Sequence, residues 1–232
     1  MTYTLGVDIG TFESKGVLVD RAGRILAQAA RPHQMIVPHP GWAEHRAEED
    51  WWGDFVFITK TLLGESNVDP KAIKAVATSG IGPCMLPLDA GGKPLMNAIL
   101  YGVDTRAAVE IADLKEGIGA DAILARCGNA LTSQSVGPKI LWLRRNRPDI
   151  WKNTAKIATC STYLTYRLSG QYVIDHYTAA SFSPLYDITR QDWCCDLADI
   201  CSPDMLPRLL WSTEIAGRVT EQAARETGLA EG

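Results

Sequence analysis

The sequence lacks several things, and each lack removes a class of protein. No apolar run in the 232 residues approaches the roughly 18 to 20 needed to cross a bilayer, and Asp8 interrupts the opening apolar segment. Neither a membrane anchor nor a signal peptide is expected, and the cytoplasm is the expected compartment. No cationic cluster stands out: 23 Lys and Arg face 27 Asp and Glu, a net charge of −4. Gripping a phosphate backbone takes a concentrated basic face, so nucleic acid is not an expected partner. Six cysteines occur without a C-x-x-C pair, and the adjacent Cys194 and Cys195 are poorly placed for ordinary disulfide geometry. Reduced thiols follow, and four scattered histidines give little basis for a zinc site.

The 46% hydrophobic content is that of an ordinary globular chain, and the length suits one large domain or two small ones. No internal repeat or low-complexity linker divides it, which favours one continuous domain. Tyr3, Leu5 and Val7 alternate with Thr4, Gly6 and Asp8, the period-two signature of a strand with one buried face. Runs 15–20 and 24–30, joined by a turn at Asp20-Arg21-Ala22-Gly23, complete a three-stranded antiparallel meander.

After the breaker-rich His39-Pro40-Gly41-Trp42, a helix is predicted over 47–63. Its stripe is Trp51, Phe55, Ile58 and Leu62, and Gly64 is its expected stop. A buried strand is expected at 73–79 and another at 84–88. Helices follow at 105–115, 121–126, 135–146 and 161–168, with a short strand at 156–159. The last fifty residues suggest a strand near 215–219 and a helix over 221–227.

The glycine turn after the first strand invites a nucleotide reading, and the element that follows it decides which kind. The P-loop and the dinucleotide fingerprint both run from strand through glycine turn to helix. Here Asp8-Ile9-Gly10-Thr11 is followed by a strand, and no G-x-x-x-x-G-K-[ST] occurs. A strand, Asp-x-Gly-Thr turn, strand hairpin can offer backbone N–H groups and a hydroxyl to phosphate oxygens. In that reading Gly10 permits close approach or positive φ, Thr11 and Ser14 supply hydroxyls, Lys15 supplies charge and Asp8 holds magnesium through water. An ordinary hairpin loop is the alternative.

With its neighbours the turn resembles the FGGY family of carbohydrate kinases, specifically their N-terminal domain and xylulokinase-like members most of all. The resemblance runs from Tyr3 to the end of the chain. It rests on Gly6-Val7-Asp8-Ile9-Gly10-Thr11, on His39-Pro40-Gly41-Trp42-Ala43-Glu44 leading to Trp51-Trp52, and on Ala98-Ile99-Leu100-Tyr101 with Asp104-Thr105-Arg106. Further along come Gly137-Pro138-Lys139 with Leu141-Trp142, and Asp175 with Thr178-Ala179-Ala180-Ser181.

The family implies an α/β fold, a ribonuclease H-like, actin-type ATPase domain with a mixed sheet flanked by helices. In full kinases two such domains enclose a cleft, and the second is absent from these residues. The resemblance implies ATP and magnesium as cofactors and a sugar as substrate, with a ketopentose such as xylulose as the expected acceptor. It places Asp8 at the magnesium, Gly10 and Thr11 in the first phosphate loop, and Gly82, Pro83, Tyr101, Asp104, Arg106 and Gln134 around the sugar. The bland alternatives are a helix-start ion pair for Asp104 and Arg106, a core aromatic for Tyr101 and a roleless loop residue for Gln134.

Two departures matter. Where xylulokinases show Gln-Met-His-Gly, this chain reads Ile81-Gly82-Pro83-Cys84, without the sugar-contacting histidine. The family's proton-accepting carboxylate lies in a Gly-Asp motif expected after Gly232, so no catalytic residue is expected within the chain. A non-catalytic sugar-binding module is the competing expectation, its exposed apolar wall taking a partner such as another copy. An actin-like or heat-shock-type ATPase shares the hairpin, but it leaves the 42–52 segment and Asp104-Thr105-Arg106 unexplained.

Overall fold

The alternation in the first thirty residues becomes a sheet because its two parities meet different surroundings. In the computed structural model, which describes residues 2–232, the first elements are β1 (Tyr3–Ile9), β2 (Glu13–Asp20), β3 (Ile25–Pro32), β4 (Glu44–His45), α1 (Gly53–Ser66) and β5 (Ile73–Gly80). Next come β6 (Leu86–Leu88), β7 (Ala98–Ile99), α2 (Ala108–Ile118), α3 (Ala120–Cys127), α4 (Val136–Asn146) and α5 (Pro148–Trp151). The remainder holds β8 (Lys156–Ala158), α6 (Cys160–Ser169), β9 (Val173–Asp175), α7 (His176–Ala179), β10 (Tyr186–Asp187), β11 (Asp192–Trp193), β12 (Arg208–Leu210) and α8 (Glu221–Thr227).

The main sheet has the order β3-β2-β1-β5, with β1, β2 and β3 antiparallel and β5 parallel to β1. Leu5, Val7, Ile9 and Leu18 are buried on one face, where α1 lays down the stripe Phe55, Ile58 and Leu62. Burying such aliphatic side chains contributes about 1.5–3 kcal/mol each. Gly16 lets the helix sit this close: a Cβ there would stand 2.3 Å from Ile58 Cγ2 and 3.2 Å from Leu62 Cδ1. The opposite face is open, a shallow hollow of about 350 Å³ lined by Gly6, Asp8, Lys15, Val17, Ala77 and Ser79 among others.

Three expectations need correction. Strand β5 is not buried on both faces, because Ala75, Ala77 and Ser79 lie on the open side. Helix α1 passes Gly64 and ends at Ser66, with Asn67 in the left-handed conformation at φ 53°; a π-helical lead-in, Ala47–Trp52, precedes it. No strand forms at 215–219, where Ile215 is 88% exposed; β12 forms earlier and pairs in parallel with β9. The helix over 221–227 forms as expected, with the Thr220 hydroxyl accepting from the Ala223 amide. All six cysteines are unpaired, and five of them are buried.

A second group of buried side chains gathers around α4, where Val136, Ile140 and Leu143 meet Ile157, Phe182 and Ile200. The two groups adjoin at β6 and β8, whose antiparallel pairing sets Leu86 opposite Ala158.

Candidate functional site

Parallel strands β1 and β5 end at the same edge, with Ile9 registered against Gly80, so the turn 10–12 and the loop 81–84 emerge side by side. The Gly10 amide donates to the Glu13 carbonyl at 3.1 Å, and a Cβ on Gly10 would lie 2.7 Å from that oxygen. Close approach, not positive φ, is what requires glycine there. The amides of Thr11 and Phe12 donate to no backbone carbonyl among the described residues. Successive N–H groups of this kind, turned outward, suit an anion.

Asp8 is exposed, one residue before the strand end, flanked across the sheet by Lys15 on β2 and Ser79 on β5. The Lys15 ammonium is exposed and pairs with Glu13 at 3.1 Å. Among the described residues no group of three or more His, Cys, Asp or Glu is arranged to hold a metal. Magnesium commonly makes do with one carboxylate, several waters and substrate phosphates, so an exposed Asp8 fits that ion.

Ser14 leaves the candidate phosphate set. Its parity puts it with Ile9 and Gly16 on the helix-covered face, fully buried, where its hydroxyl donates to Asp54 Oδ2 at 2.7 Å. Thr11 stays in the set: its hydroxyl lies 3.1 Å from the Tyr101 hydroxyl. Tyr101 is half-buried, and its phenol reaches the turn. Gly82 and Pro83 are half-buried on the neighbouring loop, and Gln134 is exposed.

Asp104 and Arg106 are taken up elsewhere. Arg106 Nε donates to both Asp104 oxygens at 3.0 and 2.9 Å, and Nη2 donates to Glu44 Oε1 at 2.9 Å. The guanidinium carbon lies 3.9 Å from the Trp42 ring and 5.1 Å from the Trp142 ring. Asp104 also accepts from the Ala43 amide at 2.7 Å. With the Arg106 side chain fully buried, this network fastens the 42–45 segment to the 104–106 segment. It lies just ahead of α2, where the Asp104–Arg106 pair of the helix-start alternative does form and is joined by Glu44 into an interior ion network.

Sequence reasoning missed the groups beneath the turn. His33 Nε2 meets the Gly10 carbonyl at 3.0 Å and its Nδ1 meets Asp54 Oδ2 at 2.8 Å. His45 Nε2 donates to the Thr11 carbonyl at 3.1 Å, its Nδ1 accepting from Trp51 Nε1 at 3.1 Å. Burial, with the neighbouring His33 charge, pushes the His45 imidazole down to about 4. The signal was faint: two of only four histidines flank the His39-Pro40-Gly41-Trp42 segment.

Beside Asp104, Lys139 borders a cavity of about 240 Å³ and donates to the Ser133 and Ser135 carbonyls. Burial pushes its ammonium down to about 8.

The family profile described as "FGGY family of carbohydrate kinases, N-terminal domain" matches residues 3–232. Xylulose kinase from Bacillus subtilis is 30% identical over 233 residues, covering 100% of this chain and 46% of that protein. Glycerol kinase from Thermococcus gammatolerans is 33% identical over 221 residues, 93% of this chain and 44% of its own. The crystal structure of xylulose kinase from Rhodospirillum rubrum superposes with a TM-score of 0.92 at 29% identity, over 99% of this chain and 47% of that one. The chain thus spans about half the length of the relatives it matches. On the profile match, the full-length likeness and the shared mixed sheet, the chain belongs to the FGGY family of carbohydrate kinases, as an N-terminal domain.

Proposed function

We propose that the protein is the part of an ATP-dependent kinase that holds the acceptor, a ketose or polyol, and seats the nucleotide's terminal phosphates on the Gly10–Phe12 turn. The observation that carries this reading is the contact of Thr11 Oγ1 with the Tyr101 hydroxyl, which ties the phosphate turn to the sugar-side segment. Relatives named xylulose kinase and glycerol kinase support a polyhydroxy acceptor, with a ketopentose such as xylulose first. Pro83 stands where xylulokinases carry histidine, so recognition on this side falls to Tyr101 and the backbone of 81–83.

Phosphoryl transfer asks the protein mainly for alignment and charge neutralisation. The Thr11 and Phe12 amides would meet the phosphate oxygens, and Asp8 would hold the magnesium. Magnesium, when bound, offsets the phosphate charge. The carboxylate that takes the hydroxyl proton is assigned to residues beyond these 232, and the chain alone is proposed to turn over no sugar.

Titrating the chain with D-xylulose and with Mg-ADP, followed by amide NMR, tests the reading. Xylulose is expected to move Gly82 and Tyr101, and Mg-ADP to move Gly10 to Phe12. In Asp8→Asn the magnesium dependence disappears while stability stays within about 0.5 kcal/mol, since the side chain is exposed. Sugar binding without any nucleotide response favours the non-catalytic module. Brisk sugar-dependent ADP formation by the chain alone refutes the placement of the base.

A further inference from the structure

We propose that His33 is a positioning residue that acts as an imidazolium. Gripped by Asp54, it holds the Gly10 carbonyl from beneath and so keeps the Thr11 and Phe12 amides turned toward an incoming phosphate.

The protonation state follows from the partners. Nε2 lies 3.0 Å from a carbonyl oxygen and Nδ1 lies 2.8 Å from a carboxylate oxygen. A carbonyl and a carboxylate both accept, so both ring nitrogens must donate, and an imidazole donating from both nitrogens is a cation. The acceptor is well defined: Asp54 Oδ2 also takes the Ser14 hydroxyl at 2.7 Å, and Oδ1 pairs with Arg31 Nε at 3.2 Å. His45 makes the contrast. Trp51 occupies its Nδ1, leaving one N–H for the Thr11 carbonyl, so it serves as a neutral imidazole. The two rings meet edge to face with centroids 4.8 Å apart, which favours one cation over two.

Asp54 on α1 is in contact, and Asp50 in the lead-in acts at longer range while held by Arg46 at 2.7 Å. Arg31 on β3 sits on the far oxygen of Asp54, and His45 on β4 is uncharged. Burial works against the His33 charge, but the Asp54 hydrogen bond and field, the Gly10 carbonyl and Asp50 outweigh it and raise its affinity for a proton.

The consequence reaches the surface. With the Gly10 and Thr11 carbonyls both drawn inward, the peptide planes of the turn are fixed, and the amides that follow cannot rotate away without breaking a half-buried hydrogen bond. The positive charge also lies under the turn, where it attracts an anion on the other side. Losing the proton removes one of the two donors and the charge together.

The inference rests on the proposed phosphate seat, and the experiment separates the two. The full chain, labelled with ¹⁵N, is titrated from acid to alkaline pH while the His33 ring nitrogens and the amides of Gly10, Thr11 and Phe12 are followed. The expected result is a doubly protonated His33 that releases its proton above the ordinary histidine range, with the turn amides moving at the same midpoint. In His33→Gln that pH response of the amides is lost. Mg-ADP is expected to bind about tenfold more weakly above the midpoint, the size of one charge-assisted hydrogen bond, and the variant should show the weak value at every pH.

A His33 ring with one bare nitrogen at neutral pH overturns the proposal, as do turn amides indifferent to its titration. Should the amides follow His33 while Mg-ADP moves nothing at any pH, the coupling is upheld and the phosphate seat is refuted. Circular dichroism of His33→Gln checks folding; if that variant unfolds, the wild-type titration alone decides.

Discussion

Arg106→Met puts the interior ion network to its sharpest test, because the sugar-contact reading and the structural reading predict different observables. The substitution keeps roughly the length of the side chain and its contact with the Trp42 and Trp142 rings, but it leaves the buried carboxylates of Glu44 and Asp104 without their cation. Breaking a buried pair by removing one partner costs about 3–5 kcal/mol. Residual partners place this case toward the lower end: Asp104 keeps the Ala43 amide and Glu44 keeps Asn97. With a urea dependence of about 2–3 kcal/mol per M for a chain of this size, the unfolding midpoint should fall by about 1–1.5 M. The same Trp residues report the transition by fluorescence. Converting the carboxylates as well, in the triple variant Glu44→Gln, Asp104→Asn, Arg106→Met, should recover a good part of the loss, because no buried charge is then left unpaired. A single variant whose midpoint stays within about 0.3 M of wild type while its xylulose response vanishes would show Arg106 to be a ligand contact and the structural account to be wrong.

Two further predictions concern the layer beneath the sheet. His45 is held neutral with its proton affinity lowered to about 4, whereas the unfolded chain protonates near the ordinary 6.5. The unfolded state therefore binds the extra proton first, so stability is lost as pH falls below the unfolded value and the loss levels off below about 4. The full loss is about 3 kcal/mol, and His45→Gln should flatten that limb of the urea-midpoint profile; an unchanged acid limb defeats the assignment. Gly16→Ala should cost about 1–3 kcal/mol by driving a methyl into Ile58 and Leu62, and adding Ile58→Val should return part of it. If the single variant melts at the wild-type temperature, α1 does not depend on the glycine for its seat.

Much of the fold was legible because it is local. The parity of β1 and β2 and the four-three-four spacing of Trp51, Phe55, Ile58 and Leu62 each encode a burial face within a few residues, and all four stripe residues are fully buried. Ser14 could have been read the same way. A hairpin that pairs Ile9 with Ser14 must pair Asp8 with Lys15, so the hydroxyl and the ammonium fall on opposite faces, and only Lys15 can share the side of Asp8. Residue type suggested a phosphate ligand there, and periodicity overrules it.

What stayed hidden is what depends on distant segments meeting. Gly10, His33, His45 and Asp54 come from a turn, the end of β3, a two-residue strand and a helix, and no spacing rule links them. The same holds for Glu44, Asp104 and Arg106, whose residue types suit a sugar site as well as a buried network. Charge alone could not decide between those roles. Burial and pairing fill in what charge leaves open: the guanidinium is stacked on Trp42 and commits Nε and Nη2 to two buried carboxylates, while Nη1 is buried without a partner. The turn at Gly10 is the reverse case, with its carbonyls fastened inward and the Thr11 and Phe12 amides left without backbone acceptors. In this chain the charged residues of the 42–45 and 104–106 segments build the frame, and the proposed ligand-facing chemistry passes to backbone amides, one exposed carboxylate and the Thr11–Tyr101 hydroxyl pair.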